Sequence, residues 1–203
     1  MADTETASNQ NLLEMTRRQL LLTTLMMEGG LVCFAVFLGR WQGIHFWEDL
    51  NYGSIQVVIG IACSIPLLAL VLLLHKIPIK ALDQTRSDFD MVIAMFKNAT
   101  VLDILVVSIM AGVCEEALFR GFLQPWIGVF VSPTGTIFLI AILFGLAHCV
   151  SRSYFVFAFL MSVALSTQLH HFDNLVVPVV THATYDFLAL FYGTRIMAHS
   201  KAT

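Results

Sequence analysis

A chain of 203 residues that is 58% hydrophobic and only 12% charged is not a soluble globule, in which roughly 25% of residues are charged. The length fits one domain. A formal net charge of −3 argues against nucleic acid as a partner, so the expected surroundings are the lipid bilayer.

The first ten residues are polar and read as a frayed tail. The first apolar run lacks a small-x-small cleavage site and carries Glu28, so it reads as a retained helix and not as a signal peptide. Six segments qualify as helical spans by length and apolarity, at about 19–39, 54–75, 99–124, 134–150, 153–170 and 174–193. They lack the alternation of a barrel, and a bilayer admits only helices or closed barrels. The fold class is therefore all-α, a polytopic transmembrane bundle of about six spans. The division is 1–98, with the tail, two transmembrane helices and an interfacial segment, and 99–203, a core of four helices with a short C-terminal tail, which the resemblance given below implies is the catalytic part.

Orientation follows from the Lys and Arg residues. With the N-terminus in the cytoplasm, nine of them (Arg17, Arg18, Lys76, Lys80, Arg86, Lys97, Arg152, Arg195 and Lys201) lie inside and only Arg40 outside, while Arg120 is at membrane depth. Both termini are expected in the cytoplasm, and the membrane is expected to be the cell inner membrane. Residues 87–98 carry apolar side chains at 89, 92, 93 and 96, a stripe suited to the cytoplasmic interface. Trp41, Trp47, Tyr52 and Trp126 read as an interfacial aromatic belt. Cys33, Cys63, Cys114 and Cys149 read as small buried hydrophobes without a disulfide framework.

Within the third span stands Ala111-Gly112-Val113-Cys114-Glu115-Glu116-Ala117-Leu118-Phe119-Arg120-Gly121. Charge at membrane depth costs about 2.5–3.5 kcal/mol per residue even on the lenient insertion scale, so such groups face a protein interior or a wet cavity. Glu116 and Arg120 are four apart on one helix face, acid first, the favourable order for an ion pair. Glu115 is turned by roughly 100° and cannot share Arg120 as easily. Glu116 is thus the candidate for a buried clamp, and Glu115 for a general base.

Two further polar positions follow. His148 closes the fourth span after Phe144-Gly145-Leu146-Ala147, and His182 and Asp186 are four apart on the sixth, where a carboxylate can hold an imidazole or share a ligand. At about 1.5 Å of rise per residue, Glu115, His148 and His182 can all reach the middle of the membrane. Glu28, beside Gly29-Gly30, is expected to hydrogen-bond to a neighbouring helix, and Asp103 to reach the headgroups. Ser108 and Ser162 are expected to serve helix packing. His170, His171 and Asp173 are placed in a short outer loop.

In that order on successive spans, Glu115-Glu116-x-x-x-Arg120, Phe144-x-x-x-His148 and His182-x-x-x-Asp186 resemble the three motifs of the CPBP (Abi) family, which includes the type II CAAX prenyl endopeptidases. The resemblance covers residues 100 to 193. It implies an intramembrane endopeptidase in which Glu115 and His148 activate water, His182 and Asp186 act at the oxyanion, and Glu116, Arg120 and Phe144 support the site. The substrate would be a membrane-associated peptide or protein. The last motif often ends in Asn; Asp186 in its place would more naturally orient His182 or bind a metal. A zinc ion held by Glu115, His148 and His182 is the alternative chemistry. Two rival functions share the same bundle: an inactive binding or immunity protein, and a proton or metal transporter.

Overall fold

The computed structural model describes residues 16–48, 50, 52–76, 80 and 83–197. The polar tail at residues 1–10 and Lys201 lie outside the described residues. Among the described residues the chain is helical, with no strand. In order it forms α1 (Arg17–Gln42), α2 (Ser54–Lys76), α3 (Asp83–Met95) and α4 (Val101–Glu116). A wider π-type stretch (Ala117–Leu123) then leads into α5 (Gln124–Gly128), followed by α6 (Pro133–Ala147), α7 (Arg152–Phe172) and α8 (Val176–Phe191), with a second π-type turn at Tyr192–Met197.

Three of these helices, α1, Ser54–Leu74 of α2, and α7, are long and apolar enough to cross a membrane. The fourth expected span is the shorter apolar helix α6 of 15 residues, about 22 Å at 1.5 Å per residue against a hydrocarbon core of about 30 Å. The third is interrupted by the π-type stretch, and the sixth, α8, has 16 residues. Short helices are tolerated here because they pack on long ones. The protein is a helical membrane bundle.

Side-chain chemistry sets the helix ends. Thr100 and Asp103 form a reciprocal capping box at the start of α4, which satisfies two otherwise orphaned backbone donors. Asp103 does not reach outward to headgroups: it is buried and accepts a bidentate pair of hydrogen bonds from Arg17 at 2.6 and 2.9 Å. That fork ties the first turn of α1 to the first turn of α4. The apolar stripe of α3 is spent largely on protein. Phe89 sits edge-on to Phe157 at 5.0 Å, and Val92 and Met95 join Leu20, Phe96 and Ile104. Buried Asp88 accepts hydrogen bonds from Gln84 and from Ser151 before α7. The aromatic positions divide: Trp41 and Tyr52 are exposed, whereas Trp47 packs on Phe46 and His45. His170 and His171 belong to the last turn of α7, which Asp173 ends in a left-handed conformation, so they are not in a loop. All four cysteines are free, but only Cys114 is buried; Cys33, on the outer face of α1, and Cys149, in the connection between α6 and α7, are exposed.

Small residues let α8 approach both its neighbours. A Cβ on Gly60 of α2 would stand 2.7 Å from Val180 Cβ, and one on Gly112 of α4 would stand 2.8 Å from both Ala183 Cβ and Ala183 N. Without lipid-driven attraction between helices, such close backbone contact is what holds them. Gly112 is one turn before Glu116, and Ala183 follows His182, so this crossing brings those two side chains together. Gly112→Val should force the helices apart and lower stability by about 1–3 kcal/mol, the usual cost of overpacking. Thermal unfolding in detergent will measure it.

Candidate active site

Arg120 lies in the π-type stretch and is fully buried. An arginine survives there only if its planar fork is filled. Its Nη1 donates to Glu116 Oε1 at 2.9 Å, its Nη2 to Ser162 Oγ at 2.6 Å and Ser162 O at 3.1 Å, and its Nε to Ser166 Oγ at 3.4 Å. Ser162 therefore does more than pack: with Ser166 it offers hydroxyls at i, i+4 on α7, aimed at one guanidinium. The cation also stands 4.9 Å over the Phe144 ring, within the range of a cation–π contact.

Glu116 is fully buried, and its Oε1 is shared. It accepts from Arg120 and also lies 2.8 Å from His182 Nδ1. The sequence suggested Asp186 as the carboxylate that orients His182; in the structure Glu116 is within hydrogen-bonding distance, while Asp186 Oδ2 is 3.4 Å from the other nitrogen, Nε2. One oxygen thus links α4, the π-type stretch and α8.

His148 stands just past α6, at its C-cap. Its Nδ1 is 2.9 Å from Phe144 O. A carbonyl only accepts, so Nδ1 carries the hydrogen and donates. Nε2 consequently faces Glu115 Oε2, at 3.4 Å. The imidazole is stacked on Phe144 with ring centroids 4.3 Å apart, while Phe119 meets the same phenyl ring edge-on at 4.9 Å and His182 stands at 6.1 Å. Phe144 is therefore the apolar hub against which both histidines are set.

Glu115 is buried, and its Oε2 has no hydrogen-bond partner. A cavity of about 100 Å³ opens beside it, lined by Glu115, His148, His182 and Asp186 and, from α7 and α8, by Tyr154 and Tyr185. Liquid water occupies about 30 Å³ per molecule, so the space suits a few waters or a peptide unit. The chain thus brings Glu115, His148, His182 and Asp186 to one cavity and sets Glu116, Arg120 and Phe144 behind it. The two tyrosines carried no sequence signal, since aromatic residues are common in apolar helices. The hydroxyl pair on α7 had one, its i, i+4 spacing in a helix that also faces the charged span.

The zinc alternative needed Glu115, His148 and His182 to converge on a point. Among the described residues no three or more His, Cys, Asp or Glu side chains are gathered to hold a metal ion. Both nitrogens of His182 are already within reach of carboxylates, Nδ1 at 2.8 Å from Glu116 Oε1 and Nε2 at 3.4 Å from Asp186 Oδ2. The residues present do not fit the metal.

The buried fork makes a direct test of the scaffold. Arg120→Met strands Glu116 without its counter-charge and should cost about 3–5 kcal/mol. Ser162→Ala removes one charge-assisted bond, about 1.5–3 kcal/mol. Unfolding midpoints of the purified variants should fall in that order.

Residues 97–188, the stretch that carries every site residue named above, match the family model described as Type II CAAX prenyl endopeptidase Rce1-like. Comparison with curated proteins and with solved structures gave no match.

Proposed function

We propose that the chain, whose residues 97–188 belong to the CAAX-protease-like family, cleaves a peptide bond of a membrane-associated substrate with water activated by Glu115. Protease of the endopeptidase class, in an integral membrane protein, is the coarser statement that the family and the apolar helices carry. The finer reading rests on one observation: Glu115 Oε2 and His148 Nε2 face each other across 3.4 Å at the wall of a cavity.

With Nδ1–H given to Phe144 O, neutral His148 presents a lone pair at Nε2. Two acceptors then flank one water and hold both its hydrogens, which aims an oxygen lone pair into the cavity. As that oxygen attacks the carbonyl carbon, Glu115 takes the proton. The negative charge that develops on the carbonyl oxygen meets an N–H from Nε2 of doubly protonated His182, whose Nδ1–H is anchored on Glu116. Preorganised donors of this kind supply much of the rate enhancement in acyl transfer. When the tetrahedral species collapses, the C–N bond breaks, protonated Glu115 returns its proton to the leaving nitrogen, and a carboxylic acid and an amine are released. No covalent enzyme intermediate forms. In this scheme Asp186 sets the charge beside His182, and Glu116, Arg120 and Phe144 fix the geometry. The bias of Lys and Arg supports an inner-membrane orientation with both termini in the cytoplasm.

Glu115→Gln keeps shape and removes the base. It should lower kcat by about 10²-fold or more with an unchanged unfolding temperature; cleavage at the wild-type rate contradicts the mechanism. Dialysis against a strong chelator should leave the rate unaltered. Loss of activity that zinc restores would favour the metal chemistry instead.

A further inference from the structure

A second cavity adjoins the catalytic one. Tyr154, Tyr185 and Asp186 line both, so the two spaces meet across those three side chains. The second has a volume of about 210 Å³. Its wall is completed by Leu72 of α2, Phe89 and Ile93 of α3, Val107 of α4 and Ala189 of α8.

The helices explain why the cavities are neighbours. Val107 stands eight residues before Glu115 on α4, about 12 Å of helix. Ala189 follows Asp186 by three residues on α8. The space therefore extends from the catalytic residues toward the end of the bundle where α4 begins. There the apolar stripe of α3 closes it. Phe89 is set edge-on against Phe157 at 5.0 Å, and Phe157 in turn lines the catalytic cavity.

The chemistry of the wall selects the occupant. Asp186 is the one charged side chain among its described residues, and it stands at the junction with the catalytic cavity. Apart from tyrosine hydroxyls, the other side chains are apolar. Such a space gains free energy by taking apolar surface out of water. An apolar cavity of about 150 Å³ holds a benzene molecule. This one takes a phenylalanine or leucine side chain and falls short of a whole farnesyl chain.

We propose that this cavity is a specificity pocket, which receives a phenylalanine- or leucine-sized side chain of the substrate residue adjoining the cleaved bond. The inference rests on the endopeptidase reading above. In a peptide the side chain leaves the backbone next to the carbonyl that water attacks. One residue can thus present its carbonyl to Glu115 and pass its side chain between Tyr154, Tyr185 and Asp186. Val107 and Ala189 then set the size that is accepted.

The test uses the full chain in detergent micelles with quenched-fluorescent peptides. Gly, Ala, Leu or Phe is placed at each position in turn, and mass spectrometry of the products locates the cleaved bond. At one position flanking that bond, Leu or Phe should exceed Gly in kcat/KM by about ten- to hundredfold. Val107→Phe and Ala189→Leu fill the cavity from different helices, and each should lower the Phe-to-Gly ratio by about tenfold or more. A general defect in folding or catalysis slows both peptides together and leaves that ratio in place. Ile93→Ala enlarges the cavity and should move the preference toward Trp. No preference in the wild-type protein, or an unchanged ratio in every variant that folds, overturns the proposal. Filling that affects only a farnesylated peptide assigns the cavity to a lipid tail and overturns it as well. In the Glu115→Gln background, where peptides stay intact, Kd should follow the same order. Wild-type protein that binds peptides without cleaving them contradicts the endopeptidase reading, while the order of Kd still judges the pocket. Binding of no peptide overturns both.

Discussion

One oxygen atom carries much of this structure. Glu116 Oε1 is 2.9 Å from Arg120 Nη1 and 2.8 Å from His182 Nδ1, with all three side chains buried. A charge in that position needs partners, and although Glu116 Oε2 has no hydrogen-bond partner, Oε1 and Arg120 are held from four places in the chain: the wide turn that presents Arg120, the serine hydroxyls of α7, the Phe144 ring on α6, and the glycine at 112 that admits α8. If any of these moves, an uncompensated charge remains inside an apolar bundle. The fold and the site geometry are therefore one problem, solved by one network.

The network also explains how two adjacent glutamates come to differ. Glu116 faces inward and is fully engaged at Oε1. Glu115 is turned toward the cavity, its Oε2 without a hydrogen-bond partner and facing His148. The π-type stretch begins directly after this pair; such turns often occur at functional positions, and here the stretch holds the buried arginine. Phe144 separates the two histidines and gives each a defined ring plane. Its own carbonyl settles which nitrogen of His148 is protonated. In this arrangement the polar groups differ in role because their surroundings differ.

Much of this was legible in the sequence because lipid imposes strong constraints. Apolar runs located each helix to within a few residues. The i, i+4 spacings of Glu116 with Arg120 and of His182 with Asp186 put those pairs on common faces. What spacing could not supply was contact between helices. Nothing in the chain order says that Glu116, and not Asp186, lies at hydrogen-bonding distance from His182. That depends on how closely α8 approaches α4, and so on Gly112 against Ala183. Asp103 was misread for a related reason: a lone acid near a helix end resembles a headgroup contact until Arg17, 86 residues earlier, is seen beside it. The exposed Cys33 and Cys149 show the opposite limit, since in a bilayer an apolar neighbourhood along the chain does not imply burial in protein.

The central claim is that Glu116 anchors the Nδ1–H of His182 and so sets its ring orientation, while Glu115 works with His148. Nitrogen NMR of ring-labelled histidine in the detergent-solubilised protein tests it directly. The account predicts a His182 ring protonated at Nδ1 whose resonances move in Glu116→Gln and stay in place in Glu115→Gln, with His148 responding in the reverse pattern. A His182 signal indifferent to Glu116 and shifted by Glu115 would contradict it.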